Sequence, residues 1–229
     1  MPVPAYRAAV FAAQPGLWSA WTAAIHALPS ISAQEARAYQ EIFAAEGGWR
    51  EDRQSGAASG LLPATIEALV AAGRLPGVAP ATPPRRLSLC QRAAAYRAYF
   101  DDVLRSIGGH PAFPSIASPL AAAALADTLF RHGGRGGTRL VQRAVVAVAP
   151  AACAVDGRMG PKVFALFCRL VADAGGCVTL LERLADARLA ATGGGERPRF
   201  DHFRFRPADA GRPPAEIAAL DRLERSRRG

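Results

Sequence analysis

The sequence predicts a mainly α-helical protein, and three observations point to it. Half of the 229 residues are hydrophobic while only 7% are aromatic, so alanine supplies much of the apolar content. Alanine is the strongest helix former and a weak core filler, which favours packed helices over sheet. Capping signals of the S-x-x-E/Q kind stand ahead of stretches with helical apolar spacing, and several of those stretches stop at glycine, the usual residue just past a helix C-terminus. A chain of this size can bury an ordinary core, as one large domain or two small ones.

The elements follow in order. LWSAWTAAIHAL, 17–28, puts Leu17, Trp18, Trp21, Ile25 and Leu28 on one helical face. It reads as a helix docked on the domain, since its polar face lacks the basic residues of a membrane-surface helix; it belongs to an N-terminal extension, 1–30. Ser32 and Glu35 form a capping box that opens a helix running to about Glu46, stopped by Gly47 and Gly48. Residues 49–62 are polar and glycine-rich, a loop or short irregular hairpin. Pro63 suits the first turn of a helix ending near Gly73, and the proline-rich stretch 75–86 connects it to the next. Ser88 and Gln91 form a second capping box for a long helix to Gly108. Ser118-Pro119 opens another, ending at Gly133-Gly134. GGRGG, 133–137, lacks the G-K-[ST] ending of a phosphate-binding loop and reads as a flexible connection. Helical spacing returns over 138–149, 161–174 and 177–191, followed by GGG at 193–195 and an arginine-rich tail. Ile217, Leu220 and Leu223 there share a face of a short amphipathic segment. The regions expected are 1–30, 31–108, 109–192 and the tail 193–229. The tail, rich in charge beyond its glycines, is expected to be dispensable for folding unless Phe200, Phe203 and Phe205 pack back onto the core.

The formal net charge is +9, carried by arginine; Lys162 is the only lysine. Such a chain is drawn to polyanions, among them nucleic acid, anionic headgroups and bacterial wall polymers. The arginines are spread without interleaved aromatics and no nucleic-acid motif is present, so no nucleic-acid partner is expected. Cys90, Cys153, Cys168 and Cys177 show no metal-ligand spacing and are expected as buried free thiols. No apolar run has the length of a membrane span, and residues 1–16 carry prolines and a charge where a signal peptide has an unbroken apolar stretch. The four histidines are scattered, and no serine or cysteine stands in a nucleophile motif.

The informative segment is YQEIFAAEGGWRED. Glu46 follows Phe43 and Ile42 by three and four residues and Tyr39 by seven, so on a helix it shares their inward face. Partial burial and the negative end of the helix dipole both disfavour its charged form. A carboxylic acid that keeps its proton near neutrality can protonate a leaving glycosidic oxygen. On the residues alone the alternative stands beside it: a boundary glutamate turned to solvent at a frayed helix end.

E-G-G-W at Glu46 to Trp49 resembles the E-G-G-Y signature of glycoside hydrolase family 108, N-acetylmuramidases of the phage-endolysin and secretion-activator type. GAASGLLPATI, 56–66, resembles that family's G-A-T-N-x-G-I-T-x-x-T, with Gly56, Ala57, Gly60 and Thr65 matching. Further along, LADTLFRHG (125–133), LVQRAV (140–145) and VDGRMGP (155–161) are similar to the F-D-x-x-x-N-x-G, L-Q-x-A and V-D-G-x-x-G-P segments of its C-terminal peptidoglycan-binding region. The likeness thus covers about residues 33–191 and implies a lysozyme-like catalytic region at 31–108 with a helical peptidoglycan-binding region, 109–192, packed on it. The chain departs from the pattern in a shorter loop after Trp49, and at Ala58 and Leu62, where the family has threonine.

The resemblance implies a lysozyme-like helical fold with at most a small hairpin or irregular loop after the catalytic helix. It implies cleavage of the β-1,4 bond between N-acetylmuramic acid and N-acetylglucosamine, with Glu46 as general acid, and no metal or organic cofactor. Asp52 is the nearest second carboxylate, with Glu51 behind it; either can equally be a solvated loop charge. Trp49, Gly60 and Thr65 are the substrate-binding candidates. Asp101 and Asp102 read as surface charges. Asp127 and Asp156 match family positions, but their expected work is structural, Asp156 in a tight turn bonded to nearby amides. Without a second carboxylate, internal attack by the muramic 6-hydroxyl would make the enzyme a lytic transglycosylase. The partners implied are peptidoglycan glycan strands, and a phage particle or secretion system met through the N-terminal helix or the tail. Action in the periplasm or cell wall would then need a holin, a phage particle or a dedicated export route. The rival expectation is a non-catalytic wall-binding or structural component of a phage-like particle or secretion machine.

Overall fold

The computed structural model describes residues 11, 14, 16–48, 52 and 54–192, and the regular elements among them are helices, with no strand. The expectations for the tail 193–229, for Trp49 and Glu51 and for the first ten residues lie outside the described residues. The helices are α1 (Leu17–His26), α2 (Ala33–Ala45), α3 (Pro63–Ala71), α4 (Leu89–Val103), α5 (Pro119–Val148), α6 (Pro161–Ala172) and α7 (Ala174–Thr192). Short 3-10 turns lie at Pro84–Arg86, Arg105–Ile107 and His110–Ser115. The protein is mainly α. Among the described residues no single helix is long and apolar enough to cross a membrane.

The central elements are α2 and the first half of α5, which pack against each other. Every residue from Glu35 to Ala45 and from Leu120 to Leu129 is buried, as expected of a helix enclosed on all sides. The alanines at 121–124 and 126 are what let neighbouring helices approach α5 closely. One continuous apolar cluster runs from Phe11 to Leu184 and joins the regions that the sequence divides. The N-terminal helix belongs to it: Trp21 is fully buried and stacks on Phe43, with ring centroids 4.3 Å apart. Its truncation to alanine would cost roughly 3–5 kcal/mol.

The serine caps work as the sequence indicates. Ser88 and Gln91 make both bonds of a capping box, and Ser118 accepts from the Ala121 amide. At α2 only half the box forms. Ser32 accepts from the Glu35 amide, but the Glu35 carboxylate turns inward to take two bonds from Arg97 (2.8 and 3.0 Å) and one from the Tyr39 hydroxyl (2.8 Å). A fully desolvated carboxylate gains more from a bidentate guanidinium than from a single amide. Burial, and then the charge of Glu35, push the Tyr39 hydroxyl well above its ordinary range.

Two expectations need correction here. The helix expected to reach Gly108 leaves α geometry after Val103 and tightens into a 3-10 turn, closed by Gly108 at φ 98°. GGRGG is not a loose connection. Gly133 alone breaks the helix (φ 69°, ψ 160°), and residues 134–148 continue as the second half of α5. A Cβ on Gly137 would lie 2.7 Å from the Leu129 Cα and the Thr128 oxygen. In a straight helix those positions are about 12 Å apart, so the two halves fold sharply together and only glycine fits their crossing. Asp101 and Asp102 lie at the surface as expected, Asp102 exposed and Asp101 half-buried, and they are held in a small ionic cluster. Arg74 bridges them at 2.9 and 3.1 Å, and Asp101 also accepts from the ring and amide of His110. Burial pushes the Asp101 carboxyl up, but the His110 bonds and Arg74 together hold it below its ordinary value. Asp127 and Asp156 have the structural work expected. Asp127 pairs with Arg188 in the core, and Asp156 caps its own turn through the Arg158 amide and Gln142.

No disulfide joins the four cysteines, but only Cys177 is buried; Cys90 is exposed and the other two are half-buried. Burial pushes the Cys168 thiol up to about 11 and raises that of Cys153, which leaves little thiolate at neutral pH. Alkylation of the native protein should therefore label Cys90 first and Cys177 only on unfolding. In denaturant without reductant all four should react; two resistant cysteines, seen by mass, would reveal a disulfide.

Candidate functional site

The site is built at the end of α2. The Gly48 amide donates to the Phe43 carbonyl and the Gly47 amide to the Ala44 carbonyl, with Gly47 at φ 80°. This is a Schellman ending, and it leaves Glu46 as the last residue with helical backbone. Glu46 is half-buried. Gly48, also at positive φ, lies so close to Leu17 and Phe11 that a Cβ would approach them to 3.2 and 3.3 Å.

The chain returns to this corner at 58–61. Ala58 and Leu61 exchange both backbone bonds (3.1 and 3.0 Å) around Ser59 and Gly60, whose φ values are 53° and 73°. Positive φ at both central residues is the pattern of a type I′ hairpin turn, so the hairpin allowed by the sequence shrinks to this single turn. Serine in the left-handed region costs about 1–2 kcal/mol, and its bonds offset that cost. Fully buried Ser59 donates to the Gly48 carbonyl (2.7 Å), accepts from an Arg92 guanidinium nitrogen (2.7 Å), and offers its own carbonyl to the Tyr96 hydroxyl (2.6 Å). Gly48 and Ser59, the two ends of the intervening loop, are thereby clamped to each other and to α4. Burial lowers the Arg92 guanidinium to about 10, with Tyr96 opposing the shift, so it stays charged at neutral pH behind the turn.

Gly60 is the floor under Glu46. A Cβ there would lie 2.5 Å from Phe130 Cε1, 2.7 Å from Glu46 Cγ and 3.0 Å from Glu46 Cδ. The acidic side chain and the edge of Phe130 close over the one residue type that leaves them room. Phe130 is itself wedged edge-on against Tyr96 and Tyr99, at 5.1 and 5.3 Å. Gly60→Ala should therefore lose more stability than Gly73→Ala, which has comparable φ but open space around it. The excess should be about 1–3 kcal/mol from overpacking, or several degrees in melting temperature. Equal shifts in the two variants would mean that the corner is not packed this way.

Among the sequence candidates, Glu46 and Gly60 are brought into contact. Thr65 is half-buried in the first turn of α3, just beyond. Asp52 is exposed, and its carboxylate closes its own turn, accepting from the Gln54 amide (3.0 Å) and the Ser55 hydroxyl (2.7 Å). Sequence reasoning missed Ser59, Arg92, Tyr96 and Phe130. One signal was available: Arg92 stands four residues before Tyr96 on the apolar side of α4, and a guanidinium there implies a buried acceptor. No protein-family model, no curated protein and no solved structure matches this chain.

Proposed function

We propose that the protein cleaves the β-1,4 bond between N-acetylmuramic acid and N-acetylglucosamine in peptidoglycan, with Glu46 as general acid. The observation that carries this reading is the Glu46 carboxyl at a glycine-capped helix end, half-buried and laid over Gly60 against Phe130. A carboxyl sheltered between an aromatic edge and a glycine floor can hand a proton to a leaving oxygen while an oxocarbenium-like centre forms. The order of the E-G-G-W, G-A-x-x-G, L-Q-x-A-like and V-D-G-x-x-G-P segments supports the same chemistry. Asp52 would direct water from the loop that begins at Trp49, while Thr65 and Trp49 would line the sugar path. The enzyme would act in the periplasm or cell wall, exported by a holin, a phage particle or a dedicated route.

A second reading has an observation in its favour. Both oxygens of Asp52 bond within its own turn, as they would in a wall-binding or structural protein of a phage-like particle that cleaves nothing. The same geometry fits a lytic transglycosylase, which needs no second carboxylate. Mass analysis of muropeptides released from purified peptidoglycan separates the three: reducing ends for a hydrolase, 1,6-anhydro ends for a transglycosylase, no release for a binder.

A further inference from the structure

Away from Glu46, one stretch of the described residues is strongly basic. Residues 128–172 hold seven basic side chains and a single carboxylate, Asp156. Arg135, Arg139 and Arg143 recur every four residues along the second half of α5, and all three are exposed. That spacing advances about 6 Å per arginine, in a line. The turn 154–160 is seated on this row: a Cβ on Gly157 would lie 2.7 Å from Arg135 Cγ and 3.2 Å from Arg139 Cγ, and the Gly157 amide donates to Gln142. Exposed Arg158 and Lys162 are thus added beside the row, at the rim of a pocket of about 440 Å³ that Gln142 and Gly160 also line. Asp156 is already committed to Gln142 and the Arg158 amide. Among the described residues none of these five basic side chains has an ion-pair partner.

Like charges four residues apart on a helix repel, so the row is a standing local cost that a bound polyanion would remove. The guanidinium fork matches phosphate oxygens in pairs. Phe164 and Phe167, the aromatics of the adjoining helix α6, are buried, which leaves no platform there for stacking bases. Val155 is the one large hydrophobic exposed on this stretch, and the apolar side of α5 faces the core, unlike a helix that lies in a lipid interface. We propose that this face binds a linear, base-free phosphodiester polymer of the polyol-phosphate kind, along the line Arg135, Arg139, Arg143 with Arg158 and Lys162 beside it. The surface does not depend on Glu46 or on what Glu46 does.

The test is fluorescence anisotropy of the full chain with a labelled oligo(glycerol phosphate) across a salt series. If five phosphates are neutralised, affinity should fall roughly a hundredfold between 50 and 200 mM salt, taking the slope known for single strands. The triple variant R135Q/R139Q/R143Q should flatten the log–log slope by about 2. R85Q/R86Q/R183Q, with the same loss of charge elsewhere, should leave the slope unchanged. Equal losses in the two triple variants would overturn the proposal, as would absence of binding at 50 mM salt. Tighter binding of oligo(dT), of phosphatidylglycerol vesicles or of polyglutamate at equal anionic charge would assign the face to another partner. Glu46→Gln should bind the polymer as wild type does, so failure of this surface and failure of the Glu46 reading register separately.

Discussion

Glu46→Gln is expected to abolish peptidoglycan cleavage while the protein melts within a degree or two of wild type, or slightly above it. Glutamine keeps the shape that lies over Gly60 and against Phe130, together with the capacity to hydrogen-bond, but has no transferable proton. General acid catalysis is typically worth roughly 10²–10⁴-fold in rate, and that is the loss to look for in release of muropeptides. Stability responds differently. Glu46 ends α2, where the helix dipole disfavours a negative charge by about 0.3–1 kcal/mol, so the substitution relieves a small cost. Activity and melting temperature must separate. Wild-type rates in the mutant would remove Glu46 from the chemistry, and a wild type inert from about pH 4 to 8, where general acid–base catalysts commonly work, would leave the wall-binding reading in its place.

What the sequence revealed and what it hid divide along sequence separation. Ser32, Ser88 and Ser118 could be read as caps because a cap is local: the serine and the amide it serves are three residues apart. Asp156 was legible for the same reason, since its turn lies within two residues. The end of α2 at Glu46 was legible from two successive glycines. Gly133 to Gly137 misled because glycine has two uses. It can loosen a chain, or it can let two backbones touch, and only the fold shows that Gly137 meets Leu129. Glu46 and Gly60, which the structure brings together, both stand out in the sequence, but what holds them does not. Arg92 reaches Ser59 across 33 residues and Phe130 reaches Gly60 across 70, and no local period encodes such pairings.

A buried ion pair is another of these long-range contacts. Asp127 in the first half of α5 and Arg188 near the end of α7 meet at 2.8 Å with both side chains essentially inaccessible, and a second Arg188 nitrogen donates to Thr128 at 3.0 Å. Two charges taken out of water gain little net stability together, but either one alone is a buried uncompensated charge. Arg188→Met should therefore cost about 3–5 kcal/mol, which for a chain of this size lowers the melting temperature by roughly 6–20 °C. Adding Asp127→Leu removes the stranded carboxylate. The double variant should recover much of the loss, as buried ion pairs replaced by apolar residues of similar volume often do. The non-additivity should exceed about 1 kcal/mol, as for residues in direct contact. Thermal melts of the two single variants and the double at fixed pH measure it. A double variant as unstable as the sum of the singles would mean that the two charges do not meet, and that the joint between α5 and α7 rests on apolar packing alone.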